Sequence, residues 1–105
     1  MKLVKLVKVN NLQYNPQHDV DIYRVTPNQD FRIQALLGGE GSAHCRFLVE
    51  GEPRCDTTVE RPGTFECRFS FPTPGVRIGE LVVEGGGQTV TQTIRLDVVD
   101  HAWVG

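Results

Sequence analysis

The stretch from Pro62 to Val99, PGTFECRFSFPTPGVRIGELVVEGGGQTVTQTIRLDVV, decides the fold class. From Thr64 to Phe71 apolar and polar residues alternate. Phe65, Cys67, Phe69 and Phe71 fall on one face, and Glu66, Arg68 and Ser70 on the other. A period of two marks a half-buried strand, because successive side chains leave a strand on opposite faces. Pro72 and Pro74 stop this strand, since proline has no N–H to give to a ladder. Residues 76–84 and 88–99 then read as a hairpin around Gly85–Gly86–Gly87. In its second arm Val90, Ile94, Leu96 and Val98 face inward and Thr89, Thr91, Thr93, Arg95 and Asp97 outward. Gln92 shares the inward face and needs a partner if buried. In the first arm the parity changes: Val76 and Ile78 are even, Leu81 and Val83 odd. Placing both pairs inside predicts a bulge near Gly79. No window carries a helical period, so the class is all-β.

Working outward from this segment, residues 2–9 read as a first strand. Lys2, Lys5 and Lys8 break its alternation and predict a bulge or a change of sheet. Leu12 and Tyr14 read as a continuation beyond Asn10–Asn11. Residues 19–25 and 30–37 alternate clearly, separated by a turn at Thr26–Pro27–Asn28. Gly38–Ser42 reads as a flexible connection. Residues 43–50 place Ala43, Cys45, Phe47 and Val49 inward, with Leu48 sharing the polar face. A turn at Glu50–Pro53 leads to a weak strand over 54–60, and Arg61–Pro62–Gly63–Thr64 suits a type II turn. About seven to eight short strands at near-regular spacing predict an antiparallel β-sandwich, its two sheets packed on their apolar faces. The 105 residues suit one domain, 1–105, with 100–105 as a tail.

A net charge of −2 argues against a dedicated nucleic-acid binder, which carries a basic excess to displace counterions from phosphates. The Lys2, Lys5, Lys8 cluster reads as an edge strand kept from aggregating. No apolar run approaches the ~20 residues that span a bilayer, so no membrane insertion is expected. The N-terminus MKLVKLVKV lacks the unbroken apolar core of a signal peptide. This predicts a cytoplasmic protein as the chain stands, or an exported surface module if it is excised from a larger one.

The end of the chain resembles bacterial immunoglobulin-like domains, including the polycystic-kidney-disease type. The matching residues are Phe71, Pro74–Gly75, Leu81–Val83, Gly86–Gly87 and Thr91 to Val98, about the last third of the chain. The resemblance implies an immunoglobulin-like sandwich, and domains of that kind act as spacers, adhesive units or docking surfaces. The Trp–Asp–Phe–Gly–Asp–Gly segment of the polycystic-kidney-disease type is absent, as is a Cys pair around a core Trp. Fold alone does not assign a job.

Cys45, Cys55 and Cys67 carry the most distinctive chemistry, all on the apolar parity of their strands. In a simple meander Cys45 lies opposite Cys55, and Cys55 opposite Cys67. Three readings follow: three buried thiols, one disulfide with one thiol left over, or a metal site with His44. The last has no C-x-x-C pair, and alternation points His44 away from Cys45. His18, Asp19 and Asp21 read as a solvated strand face rather than a calcium site, which needs more oxygen ligands. No nucleophile–base–acid set, G-x-S-x-G, P-loop or H-E-x-x-H occurs, so neither an enzyme nor a cofactor is expected. Tyr14, Tyr23 and Trp103 are the aromatic residues left over as surface platforms. The expected function is a non-enzymatic protein-interaction or structural module whose partner is another protein, working through the 38–42 segment or the Trp103 tail. The alternative is a small ligand-binding module for carbohydrate or metal.

Overall fold

The computed structural model describes residues 3–14 and 24–99. Its elements are β1 (Val4–Val9), β2 (Leu12–Gln13), β3 (Phe31–Val49), β4 (Glu52–Phe69), β5 (Gly75–Gly85) and β6 (Gln88–Val98). All pairings between these strands are antiparallel, in the order β2-β1-β3-β5-β6, with β4 on β3. The result is an open, curled sheet of half-barrel form, with no helix among the described residues.

Two long strands organise it. β3 and β4 pair from Phe31↔Phe69 to Leu37↔Gly63, and again from Gly41↔Arg61 to Val49↔Glu52. The break between Leu37 and Gly41 is where the ribbon bends. Gly39 and Gly41 both sit at φ +89°, a left-handed conformation that L side chains resist, and they let β3 turn there without ending. Across the bend, Arg61 donates hydrogen bonds to the carbonyls of Gly38 (3.4 Å) and Gly41 (3.3 Å). The Gly38–Ser42 segment is therefore part of β3 rather than a flexible connection. Residues 61–64 likewise continue β4 and make no type II turn, although Arg61–Pro62 is cis. Two expected pairs of short strands merge into two long ones, which leaves six strands among the described residues where seven to eight were expected of the whole chain.

The bend brings the two halves of the ribbon face to face. Phe47, on the second half of β3, stacks on Phe69 at the far end of β4. Phe69 also stacks on Phe31 and meets Phe71 edge-on. Phe31, Ile33, Phe47, Phe65, Leu81, Ile94 and Leu96 are all buried to within 1% of complete exclusion from solvent. Burial on this scale contributes roughly 1.5–3 kcal/mol per large apolar side chain. No polar or charged side chain among the described residues is fully buried. At the open end Arg77 lies over the Phe71 ring at 4.1 Å and donates to Thr73 Oγ1. Its guanidinium closes the core with a cation–π contact.

β1 and β5 share the other edge of β3, β1 against Ile33–Leu37 and β5 against His44–Val49. The expected irregularity in the first strand falls at Lys5, between Val4 and Leu6. Asn10 and Asn11, both at positive φ, make the tight turn of a hairpin, so Leu12–Gln13 folds back on β1 rather than extending it. Of the expected strand at 19–25, residues 19–23 lie outside the described residues. Val25 forms a parallel bridge with Val98.

The β5–β6 hairpin closes through Gly86 and Gly87, both at positive φ, and its register runs unbroken from Gly75↔Val98 to Gly85↔Gln88. The expected bulge near Gly79 is therefore absent. One register cannot send Val76, Ile78, Leu81 and Val83 to the same face. Leu81 and Val83 are fully buried, and Val76 and Ile78 are on the outside, 54% and 47% exposed. Gly79 sits on the inner face, where the Phe47 ring lies 2.5 Å from the position a Cβ would take.

Candidate contact site on the outer face of the sheet

Most of the outer face is a set of paired charges. His44 pairs with Asp56 at 2.5 Å and Arg46 with Glu84 at 2.6 Å. Ser42 donates to Glu60, and Arg95 pairs with Asp97 at 2.8 Å. On the first half of the ribbon Arg32 and Arg68 both pair with Glu66. The Arg32 hydrogen bond, aided by the charges of Arg32 and Arg68, holds the Glu66 carboxyl below its ordinary value. Val82, also on this face, is only 7% exposed. Its cross-strand neighbour is Arg46, whose long stem can cover it while the head reaches Glu84.

Val76 and Ile78 differ from Val82. The cross-strand neighbour of Ile78 is Arg95, whose guanidinium turns to Asp97 instead. Leu48, half-buried on the same face, stands opposite Glu80 and with Ile78 forms the floor of a cleft of about 260 Å³, completed by Glu50, Gly51 and Glu80. The turn after β3 sets this geometry. Glu50 and Gly51, at φ +51° and +83°, form a two-residue hairpin turn. The Glu50 N–H donates to the Ile78 carbonyl (3.0 Å), and the Ile78 N–H donates to Glu50 Oε1 (2.9 Å). The turn is thus tied to β5, and one wall of the cleft is fixed by one backbone–backbone bond and one from the backbone to the Glu50 carboxylate.

The residues singled out from the sequence lie elsewhere. Cys55 and Cys67 form a disulfide with a Cα–Cα distance of 6.0 Å, and Cys45 is a free, buried thiol. The meander expectation is corrected here. Cys45 stands opposite Thr57, not Cys55, and Cys55 and Cys67 lie on the same strand and meet because it bends. Burial raises the Cys45 thiol above its ordinary 9.0, which disfavours the reactive thiolate. His44 is exposed on the opposite face from Cys45, so the two do not share a site. Among the described residues no group of three or more His, Cys, Asp or Glu could hold a metal ion.

Tyr14 is half-buried against the core and lines a second cleft of about 270 Å³ with Val4, Leu6, Val7 and Val90, so it is not an exposed platform. Tyr23, Trp103, His18, Asp19 and Asp21 lie outside the described residues. Gln92, half-buried, donates to the Thr93 carbonyl at 3.0 Å. A shallower groove of about 580 Å³ is lined by Ser42, His44, Thr58, Glu84, Gln88 and Thr89.

The apolar cleft is hidden in the sequence because Val76 and Ile78 read as core once a bulge at Gly79 is expected. A signal was present. Leu48 already falls on the polar parity of its strand, and Val76 and Ile78 join it once β5 keeps one register. No protein-family model matches the chain, and no curated protein matches it either.

Proposed function

We propose that this chain is a non-enzymatic protein-interaction module of immunoglobulin-like build, whose contact surface is the Leu48–Val76–Ile78 face. One observation carries this reading: exposed Val76 and Ile78 and half-buried Leu48 lie at a cleft whose own Glu50 and Glu80 have no cationic partner among the described residues, on a face where most other charges are paired. Contiguous exposed apolar surface rimmed by polar groups is characteristic of protein contact sites. The immunoglobulin-like reading is supported by the antiparallel strands and by the facing apolar halves of the ribbon.

The test places a photo-crosslinking residue at Ile78 in the native host, with a control at Thr91 on the outer face of β6. A discrete protein adduct from position 78 that is lost on Val76→Ser supports the reading. Equal labelling from both positions contradicts it.

A second reading, carbohydrate binding, rests on the groove at Ser42, His44, Thr58 and Gln88, whose hydroxyl, imidazole and amide groups suit sugar hydroxyls. A glycan panel tests it by thermal shift, since a ligand that binds only the folded state raises Tm.

A further inference from the structure

The chemistry of the cleft says what kind of segment fits it. Its floor is Leu48 and Ile78, with Val76 extending the apolar surface along the outer face of β5. Both titratable side chains at the cleft, Glu50 and Glu80, are acidic. Glu50 spends Oε1 on the Ile78 N–H, and no cation among the described residues pairs with either carboxylate. The nearest ion pair on the neighbouring strand, Arg95–Asp97, is internally neutralised. The site therefore offers an apolar seat with an uncompensated negative rim.

We infer that the occupant is a segment of a partner protein carrying an aliphatic or aromatic side chain with a Lys or Arg close beside it in sequence. This rests on the contact reading above. The apolar side chain would seat on Leu48 and Ile78, and the cation would meet Glu50 and Glu80. Rim charges of this kind steer encounter and set partner choice more than they add affinity. A second copy of this chain is the wrong occupant. A two-fold contact through this face would bring two acidic rims together with no cation from the cleft itself to offset them, and like charges across an interface oppose docking.

The test is a displayed random nonapeptide library, selected against the full chain and counter-selected against Ile78→Ser. Selected peptides are then titrated by fluorescence polarisation against the native protein, Ile78→Ser, Glu80→Gln and Glu50→Gln. Glu50→Gln removes charge and keeps an oxygen for the Ile78 N–H. All three sites are on the surface, and a thermal melt of each variant confirms that it is folded.

The expected consensus is an apolar residue with Lys or Arg within two positions. Ile78→Ser should weaken binding at least about tenfold, as for the central residue of a contact. Each Glu→Gln change should weaken it roughly two- to fivefold and flatten its salt dependence. Peptides that depend on Ile78 but carry no basic enrichment overturn the partner chemistry and leave the contact reading standing. Peptides that bind Ile78→Ser as well as the native chain overturn both. A dimer in sedimentation that Ile78→Ser dissociates shows a second copy as occupant and overturns the inference.

Discussion

Phe47 and Phe69 stack with ring centroids 5.3 Å apart, although one sits on the second half of β3 and the other beside the start of that strand. Phe69 pairs across the ladder with Phe31, sixteen residues from Phe47 by number. An extended strand would separate those positions by about 50 Å. The contact therefore exists only because the ribbon folds back, and it sits where both halves of the sheet share one core. Phe69→Ala should destabilise the domain by about 3–5 kcal/mol, the usual cost of removing a buried phenyl ring. Denaturant unfolding followed by far-UV circular dichroism measures it. A loss below about 1 kcal/mol would mean the halves are not packed on each other.

Gly79 makes room for the same ring. A Cβ there would fall 2.5 Å from the Phe47 ring and 3.2 Å from Leu96 Cδ1. Gly79→Ala should cost about 1–3 kcal/mol as an overpacking change. Pairing it with Phe47→Leu should recover part of the loss, because the smaller side chain vacates the ring's position. Additive losses in that double mutant would contradict the assignment.

Glu66 gives a pH signature. Its carboxyl titrates below the ordinary 4.5 because Arg32 hydrogen-bonds to it and Arg32 and Arg68 hold positive charge beside it. A carboxyl whose folded pKa lies below its unfolded value stabilises the fold above the unfolded value, and loses that contribution as pH falls through the folded one. Carboxyl-detected NMR titration should show Glu66 ionising below the ordinary glutamate value, and Arg32→Ala should move it upward. An unchanged Glu66 titration in that variant would separate it from Arg32.

Exposed apolar residues should behave differently from buried ones of the same type. Ile78→Ser, at a position 47% exposed, should change stability by no more than about 0.5 kcal/mol. Ile94→Ser, fully buried, should cost several times that. Paired thermal melts decide it. Equal losses would return Ile78 to the core and remove the cleft.

The all-β class and most inward-facing residues were legible from alternation, as at Phe65, Cys67 and Phe69, because a period of two records one buried face. The bend was not. Gly38–Gly39 and Pro62–Gly63 are ordinary turn signals, and local chemistry does not distinguish a turn that ends a strand from a bulge that bends it. The expected meander set Cys55 opposite Cys67, but as neighbours on two strands and with Cys45 in the same row, whereas both lie on one folded-back strand and Cys45 faces Thr57. The contact face was missed for another reason. Placing Val76 and Ile78 inside together with Leu81 and Val83 turned two exposed side chains into evidence for a bulge.

The disulfide should hold the bend closed. It closes a loop with a sequence separation of 12, for which chain entropy gives about 3 kcal/mol. Cys55→Ser/Cys67→Ser should lower stability by that order, and reducing the native protein should lower Tm in parallel. An unchanged Tm on reduction would show that the bend needs no clasp.

The folded-back ribbon is the central claim, because the core shared by its two halves depends on it. Disulfide mapping of the non-reduced protein tests it most directly, with cleavage after Glu60 to separate Cys55 from Cys67. The predicted result is one Cys55–Cys67 cross-link and one free thiol at Cys45, slow to alkylate until the protein unfolds. A bridge that includes Cys45, or three free thiols after air oxidation, would contradict it.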